Sequence, residues 1–220
     1  MLGRIAAAAV PVLGRLGVSR DASFRHEPGT VFVANHTSLA DPGPVLAALH
    51  REGIRVTVMA TAGLWRVPVL RGLLERGGHI PVHRGSAHAA GALDAAARVL
   101  AAGGDVLIYG EGRLPLRLDA AEAPPEEFRT GPARLAARTG ARVVPVGQAG
   151  ARRISSGSGA KQVAGFLTAP VRQPRLHVHL GAPLDLPADI GAATAAAHRG
   201  VTAAWRTAAR RLGEPAAFAG

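Results

Sequence analysis

The chain contains no cysteine. That excludes a disulfide framework, thiolate metal ligands and a cysteine nucleophile, while leaving the redox compartment open. Aromatic residues make up only 4% of the sequence, which argues against the stacking platforms of a single-strand nucleic-acid binder. Lys161 is the only lysine. No run approaches the ~18–20 uncharged apolar residues of a spanning helix. The longest candidate, 5–14, is bounded by Arg4 and Arg15 and interrupted by Pro11. No small-x-small cleavage site follows it, so a signal peptide is a poor fit. Two readings of this segment stand. It is either an amphipathic helix on a membrane surface, its basic flanks meeting lipid phosphates, or an ordinary helix packed on the domain. The first gives a division into residues 1–25 and a domain at 26–220.

What is present is apolar and basic. The 220 residues are 48% hydrophobic, enough for one domain with a sizeable core. Lys and Arg total 26 against 15 Asp and Glu, a net charge of +11 that is almost all guanidinium. Arginine stays charged and forks onto phosphate oxygens. An excess of this size points to nucleic acid, an anionic membrane or a phosphorylated substrate. A genome rich in G and C, favouring Ala, Arg, Gly and Pro codons, accounts for it equally well. A nucleic-acid module predicts clustered arginines interleaved with aromatics; here the arginines are scattered.

Short apolar runs at 30–34, 55–60, 79–83, 105–109, 142–147 and 175–180 read as strands. Between and after them, 42–51, 67–76, 86–102, 132–139 and about 188–212 have helical composition. Continuously apolar strands separated by helices predict an α/β fold: a single domain with a mainly parallel mixed sheet covered by helices on both faces. The Pro- and acid-rich stretch 112–130 and the Ser/Gly-rich stretch 150–165 read as loops. In open α/β sheets ligands favour the carboxyl ends of strands, which directs attention to the residues just after each strand.

After the first strand comes Asn35-His36-Thr37-Ser38-Leu39-Ala40-Asp41-Pro42. A histidine five positions before an aspartate can form a general base and its orienting carboxylate. Equally, Asp41 before Pro42 fits a helix N-cap, which needs no catalysis. Gly78-His79-Ile80-Pro81-Val82-His83-Arg84-Gly85 delivers Arg84 at a strand end, where a phosphate could be held or water could solvate it. Tyr109-Gly110-Glu111-Gly112-Arg113 places a carboxylate between glycines, in a tight turn open to close approach. Glu111 there would bind acceptor hydroxyls or support the neighbouring site. His177 and His179 put two imidazoles on one strand face, and without a third ligand an exposed or edge strand is preferred to a metal site.

Taken in order, these motifs resemble the glycerolipid acyltransferase family typified by bacterial 1-acylglycerol-3-phosphate acyltransferases. Asn35, His36 and Asp41 match its Asn-His-x4-Asp motif; Gly78, Ile80, Val82 and Arg84 match its second. Tyr109-Gly110-Glu111-Gly112-Arg113-Leu114 stands where the family has Phe-Pro-Glu-Gly-Thr-Arg. Val143-Val144-Pro145-Val146 and Phe128-Arg129-Thr130-Gly131 match two further segments, so the likeness spans roughly 30 to 150. The third motif departs at Gly110, Arg113 and Leu114: either Arg113 takes over the missing arginine's phosphate contact or that contact is lost.

The resemblance implies the acyltransferase fold and transfer of a fatty acyl group to a lysophospholipid hydroxyl in phospholipid biosynthesis. The donor would be acyl-CoA or acyl carrier protein, acting as co-substrate with no cofactor and no metal. His36, Asp41 and Glu111 are the expected catalytic residues. Asn35, Ser38, Arg84, Gly110, Gly112 and Arg113 are the expected substrate-binding residues, and the amides near 110–112 are candidate oxyanion donors. No Gly-x-Ser-x-Gly elbow or cysteine offers an acyl-enzyme nucleophile, so direct attack is implied. The expected partners are the donor, the acceptor and an anionic membrane surface, without nucleic acid. The expected location is the cytoplasm, peripherally on the inner face of the cell membrane. A non-phosphate lysolipid, a glycolipid or a specialised metabolite is the alternative acceptor.

Overall fold

A computed structural model describes residues 1–83, 89–114 and 119–218. Seven strands form one sheet: β1 (Arg15–Arg20), β2 (Val31–Ala34), β3 (Val56–Thr61), β4 (Ile80–Val82), β5 (Asp105–Tyr109), β6 (Val143–Ala149) and β7 (Arg175–Leu180). Their order is β1-β7-β6-β2-β5-β3-β4, and only the β6–β7 pairing is antiparallel. The helices are α1 (Leu2–Leu13), α2 (Pro42–Arg51), α3 (Pro68–Arg76), α4 (Ala89–Ala101), α5 (Gly131–Thr139), α6 (Gly159–Arg172) and α7 (Ile190–Leu212).

The alternation of β2 shows how the sheet is covered. Phe32 and Ala34 pack with Ala6 and Val10 of α1, Val45 to Leu49 of α2 and Ala169 of α6. Val31 and Val33 face the other way, against Ala92 and Ala96 of α4, Leu135 of α5 and Val201 of α7. Both faces are therefore dry, which is why the strands read as unbroken apolar runs. The all-buried β2 lies between β5 and β6, so the turn after Ala34 opens at the carboxyl end of the central parallel strands.

Three features differ from the sequence reading. The segment 15–20 was not read as a strand, because Arg-Leu-Gly-Val-Ser-Arg is polar and short. Its pairing with β7 nevertheless makes part of 1–25 an edge of the same sheet as the rest of the chain. The stretch 150–165 is not simply a loop. A 3₁₀ turn, Ala151–Arg153, is followed by α6, whose Gly165 lets the helix lie on the backbone: a Cβ there would stand 2.1 Å from the Ile154 carbonyl oxygen. Lastly, β7 is neither exposed nor an edge, since it runs between β1 and β6.

His177 and His179 both face the Ser19 hydroxyl, at 2.9 Å each, and His179 Nε2 lies 3.1 Å from Asp21 Oδ1. Gly17 leaves the room: a Cβ on it would meet the His177 ring at 2.6 Å. Burial, helped by Arg211, pushes the His177 pKa down to about 4, and burial also lowers that of His179. The folded state thus excludes a proton that the unfolded chain takes up near 6.5. Stability from the His177 imidazole is full above that value and is lost as pH falls from about 6.5 to 4, with His179 acting in the same direction. The unfolding temperature should therefore fall on acidification over this window, and His177→Gln should flatten the decline. An unchanged slope in that variant would remove His177 as its source.

Candidate active site

Asn35 is where β2 leaves the sheet. Its side chain is fully buried, with Oδ1 accepting from Gln148 N at 2.8 Å and Nδ2 donating to Gln148 O at 3.0 Å. This side chain continues the β2–β6 ladder beyond Ala34–Val146 and fixes where the next residue emerges. Asn35 is therefore a positioning residue rather than a substrate contact. Ser38 is likewise buried, donating to the Ser155 carbonyl at 2.6 Å and accepting from Ala40 N at 3.1 Å. Its expected contact with substrate is replaced by one that ties the turn to the segment before α6.

Between them lies His36, its Nδ1 2.9 Å from Asp41 Oδ2. A carboxylate only accepts, so the Nδ1 proton points to Asp41 and Nε2 keeps its lone pair. The same carboxylate accepts from the backbone N–H groups of Thr37 and Ser38. Asp41 itself has helical dihedrals, φ −52° and ψ −40°, and makes no capping bond to α2. The N-cap reading is thus overturned: the side chain turns back onto the loop and holds the ring.

Glu111 approaches from the end of β5. Both of its oxygens accept from His36 N at 3.1 Å, so it grips the His36 backbone while Asp41 grips the ring. Burial raises its pKa to about 8, with the Asp41 charge adding to the rise and the His36 N–H opposing it. The fold thereby favours the protonated form of this carboxyl over the ionised one. The unfolded chain gives up that proton near 4.5, so this contribution to stability is present below that value and lost as pH rises to about 8. We expect Glu111→Gln, which keeps an acceptor oxygen, to cancel a loss on the order of 3–5 kcal/mol between pH 5 and 8. Denaturant titrations at those two pH values check it; parallel behaviour of the two proteins would exclude Glu111 as the titrating group.

Tyr109 supplies the floor. Its ring lies 4.5 Å from that of His36, tilted by 32°, with the hydroxyl buried and unpartnered. Gly110 is fixed by Phe128, whose ring would be 2.3 Å from any Cβ there. Gly112 turns with φ +67°, a backbone state that favours glycine. Two of the expected oxyanion donors are already committed, because Gly110 N donates to Ala34 O and Gly112 N to Tyr109 O. Those glycines shape the turn and do not supply free N–H groups.

Arg113 is more than half exposed and pairs with Glu126 at 3.3 Å. It lines an open depression with Glu111, Glu126, Glu127 and Arg129. Arg84 lies outside the described residues.

The cleft over His36 is narrow, with a cavity volume of about 20 Å³, partly open to solvent, and lined also by Thr37, Glu111, Pro124, Pro125, Glu126 and Arg152. Two of its determinants escaped the sequence reading. Arg152 is buried and donates to the carbonyls of Thr37 and Asp119, clamping the turn after β2 to the covering loop. Glu122 accepts from Gly150 N at 2.8 Å and Trp205 Nε1 at 3.3 Å, and burial raises its pKa to about 7. The signal for Arg152 was its place just after a strand. Glu122 was masked by the acidic stretch around it.

A histidine held by a buried carboxylate at the carboxyl end of a central strand is an arrangement able to take a proton from a hydroxyl. The chain belongs to the Acyltransferase family, whose model matches residues 15–148, and it is an acyltransferase. Its fold is similar to that of the 1-acyl-sn-glycerophosphate (LPA) acyltransferase PlsC from Thermotoga maritima. That crystal structure aligns with a TM-score of 0.71 at 16% identity, covering 96% of this chain and 78% of that one. No curated protein sequence matches the chain.

Proposed function

We propose that the enzyme transfers a fatty acyl group from acyl-CoA or acyl carrier protein to the free hydroxyl of a 1-acylglycerol-3-phosphate-like lysophospholipid. The single observation that carries this is His36 Nδ1 bound at 2.9 Å to buried Asp41, which leaves Nε2 for an incoming hydroxyl at the cleft. His36 Nε2 takes the hydroxyl proton as the oxygen attacks the thioester carbonyl carbon. A C–O bond forms and the C–S bond breaks. The thiolate leaves, and the imidazolium returns the proton to it. Asp41 stabilises that imidazolium, and Glu111 keeps the His36 backbone in place. The step as written needs no metal or prosthetic group.

One observation favours a second reading, an acceptor without phosphate. Arg113 is engaged by Glu126, and Glu126 and Glu127 border the same region, so an incoming phosphate would meet carboxylates. Lysolipids with and without phosphate, each offered with acyl-CoA and with acyl carrier protein, separate the two readings against a His36→Ala blank. Turnover confined to the phosphate-bearing acceptor upholds the first; turnover confined to neutral acceptors replaces it with the second. No described helix is long and apolar enough to cross a membrane; peripheral association with the inner face of the cell membrane is part of the proposal.

A further inference from the structure

The helix that sequence reading missed carries a surface that the catalytic chemistry does not use. α6 touches the body of the protein along a narrow seam of Gln162, Gly165, Phe166 and Ala169, with Phe166 and Ala169 in the core shared with α1 and α2. Its opposite side is apolar. Val163, Leu167 and Val171, spaced four apart, are 60%, 75% and 88% exposed, and Ala160, Ala164 and Pro170 around them are exposed as well. Such a row on one helix face is a contiguous patch rather than scattered surface apolarity.

Its neighbour is α1, to which its C-terminal end is tied by Gln173 Nε2 donating to Val12 O at 2.8 Å. α1 buries Ala6 and Val10 and leaves Ile5 and Val12 exposed beside Arg4. The charge carried by these two helices has one sign: Arg4 on α1, and Lys161 and Arg172 on α6, with no Asp or Glu on either. Lys161 makes no ion pair among the described residues, and the Arg172 guanidinium meets only Thr168 and two carbonyls, so neither charge is neutralised. An apolar helix face rimmed by uncompensated cations is complementary to an anionic bilayer surface, where apolar side chains enter the acyl boundary and cations meet phosphates. The face also connects to chemistry, because Ser38 of the catalytic turn donates to Ser155, four residues before α6 begins.

We infer that the Val163-Leu167-Val171 face of α6, flanked by α1, docks the enzyme on an anionic lipid surface. The inference rests on the lipid-acceptor reading above and names the surface at which that lipid is met. Sedimentation of the full chain with phosphatidylglycerol–phosphatidylcholine vesicles, and with pure phosphatidylcholine vesicles, tests it. The wild-type protein should partition to the anionic vesicles and dissociate at high salt. Leu167→Asp/Val171→Asp should lower that partition about tenfold or more. Lys161→Glu should lower it at low salt only. Val69→Asp, at an equally exposed apolar position on α3, should stay within about twofold of wild type. Circular dichroism of each variant verifies folding, and Leu167→Ser/Val171→Ser repeats the test without added charge. Acyl transfer to a short-chain lysophosphatidic acid below its micelle concentration should be unchanged in the α6 variants.

Full vesicle binding by the α6 variants overturns the inference. So does a loss seen with Val69→Asp instead, or a wild-type protein that ignores anionic vesicles. If the α6 variants lose binding to acyl carrier protein but not to vesicles, the face docks a protein and the inference also falls. Vesicle binding that depends on α6, in an enzyme inert toward every lysolipid, would leave this inference standing and remove the acceptor reading.

Discussion

Replacing His36 with alanine is expected to lower kcat by roughly 10²–10⁴-fold, the usual contribution of a positioned general base. KM for either substrate should change little, because Nε2 meets the hydroxyl chiefly as its proton moves. The fold should survive: Asn35 and Gln148 hold the turn without the imidazole, and Glu111 grips the backbone N–H, which alanine retains. Free imidazole should restore part of the rate by entering the space left against the Tyr109 ring. Steady-state kinetics on the purified variant, with circular dichroism to verify folding, decides it. A rate within a few fold of wild type would assign the proton transfer to some other group.

Much of this site was legible before any coordinates, because the pattern that builds it is local. His36 and Asp41 share one turn after one strand, and Glu111 follows another strand directly. The strands themselves were readable because both faces of the sheet are covered: β5 and β7 begin and end at the positions their apolar runs indicate. What escaped depends on contacts between distant segments. β1 is a strand only because β7 accepts it as a neighbour, and nothing in Arg-Leu-Gly-Val-Ser-Arg announces that. α6 contains glycine and proline and looked like a loop, yet Gly165 serves the close approach to Ile154. Arg152 reaches the site by clamping two carbonyls, one before it and one in the covering loop, which no spacing rule encodes. The amides at 110 and 112 stood in the right place for an oxyanion but had partners in the turn itself. Local sequence located the side chains that meet at this turn; which donors remain free depends on the hydrogen bonds of the folded turn.

Asp41→Asn separates catalysis from architecture. Asparagine caps helices about as well as aspartate, so a capping role would leave activity and stability nearly untouched. The observed geometry gives a different result. Asp41 Oδ2 receives His36 Nδ1, Thr37 N and Ser38 N. An amide can present its oxygen to that cluster, but without the charge that stabilises the imidazolium. Presenting its nitrogen would set donor against donor, and the ring would then be free to turn or to adopt the other tautomer. We expect kcat to fall about 10³–10⁴-fold, the scale on which a neutral isostere disrupts a histidine–carboxylate pair. Loss of charge-assisted bonds at a fully buried carboxylate should cost about 1–3 kcal/mol, which for a chain of this size lowers Tm by several degrees. Asp41→Glu keeps the charge but lengthens the side chain, and should recover Tm less than it recovers rate only if charge outweighs the turn geometry. Kinetics and melting measured together on both variants resolve the roles. An Asp41→Asn enzyme with normal kcat and lowered Tm would make the carboxylate a fastener for residues 37 and 38, and His36 would then act as a base without its aid.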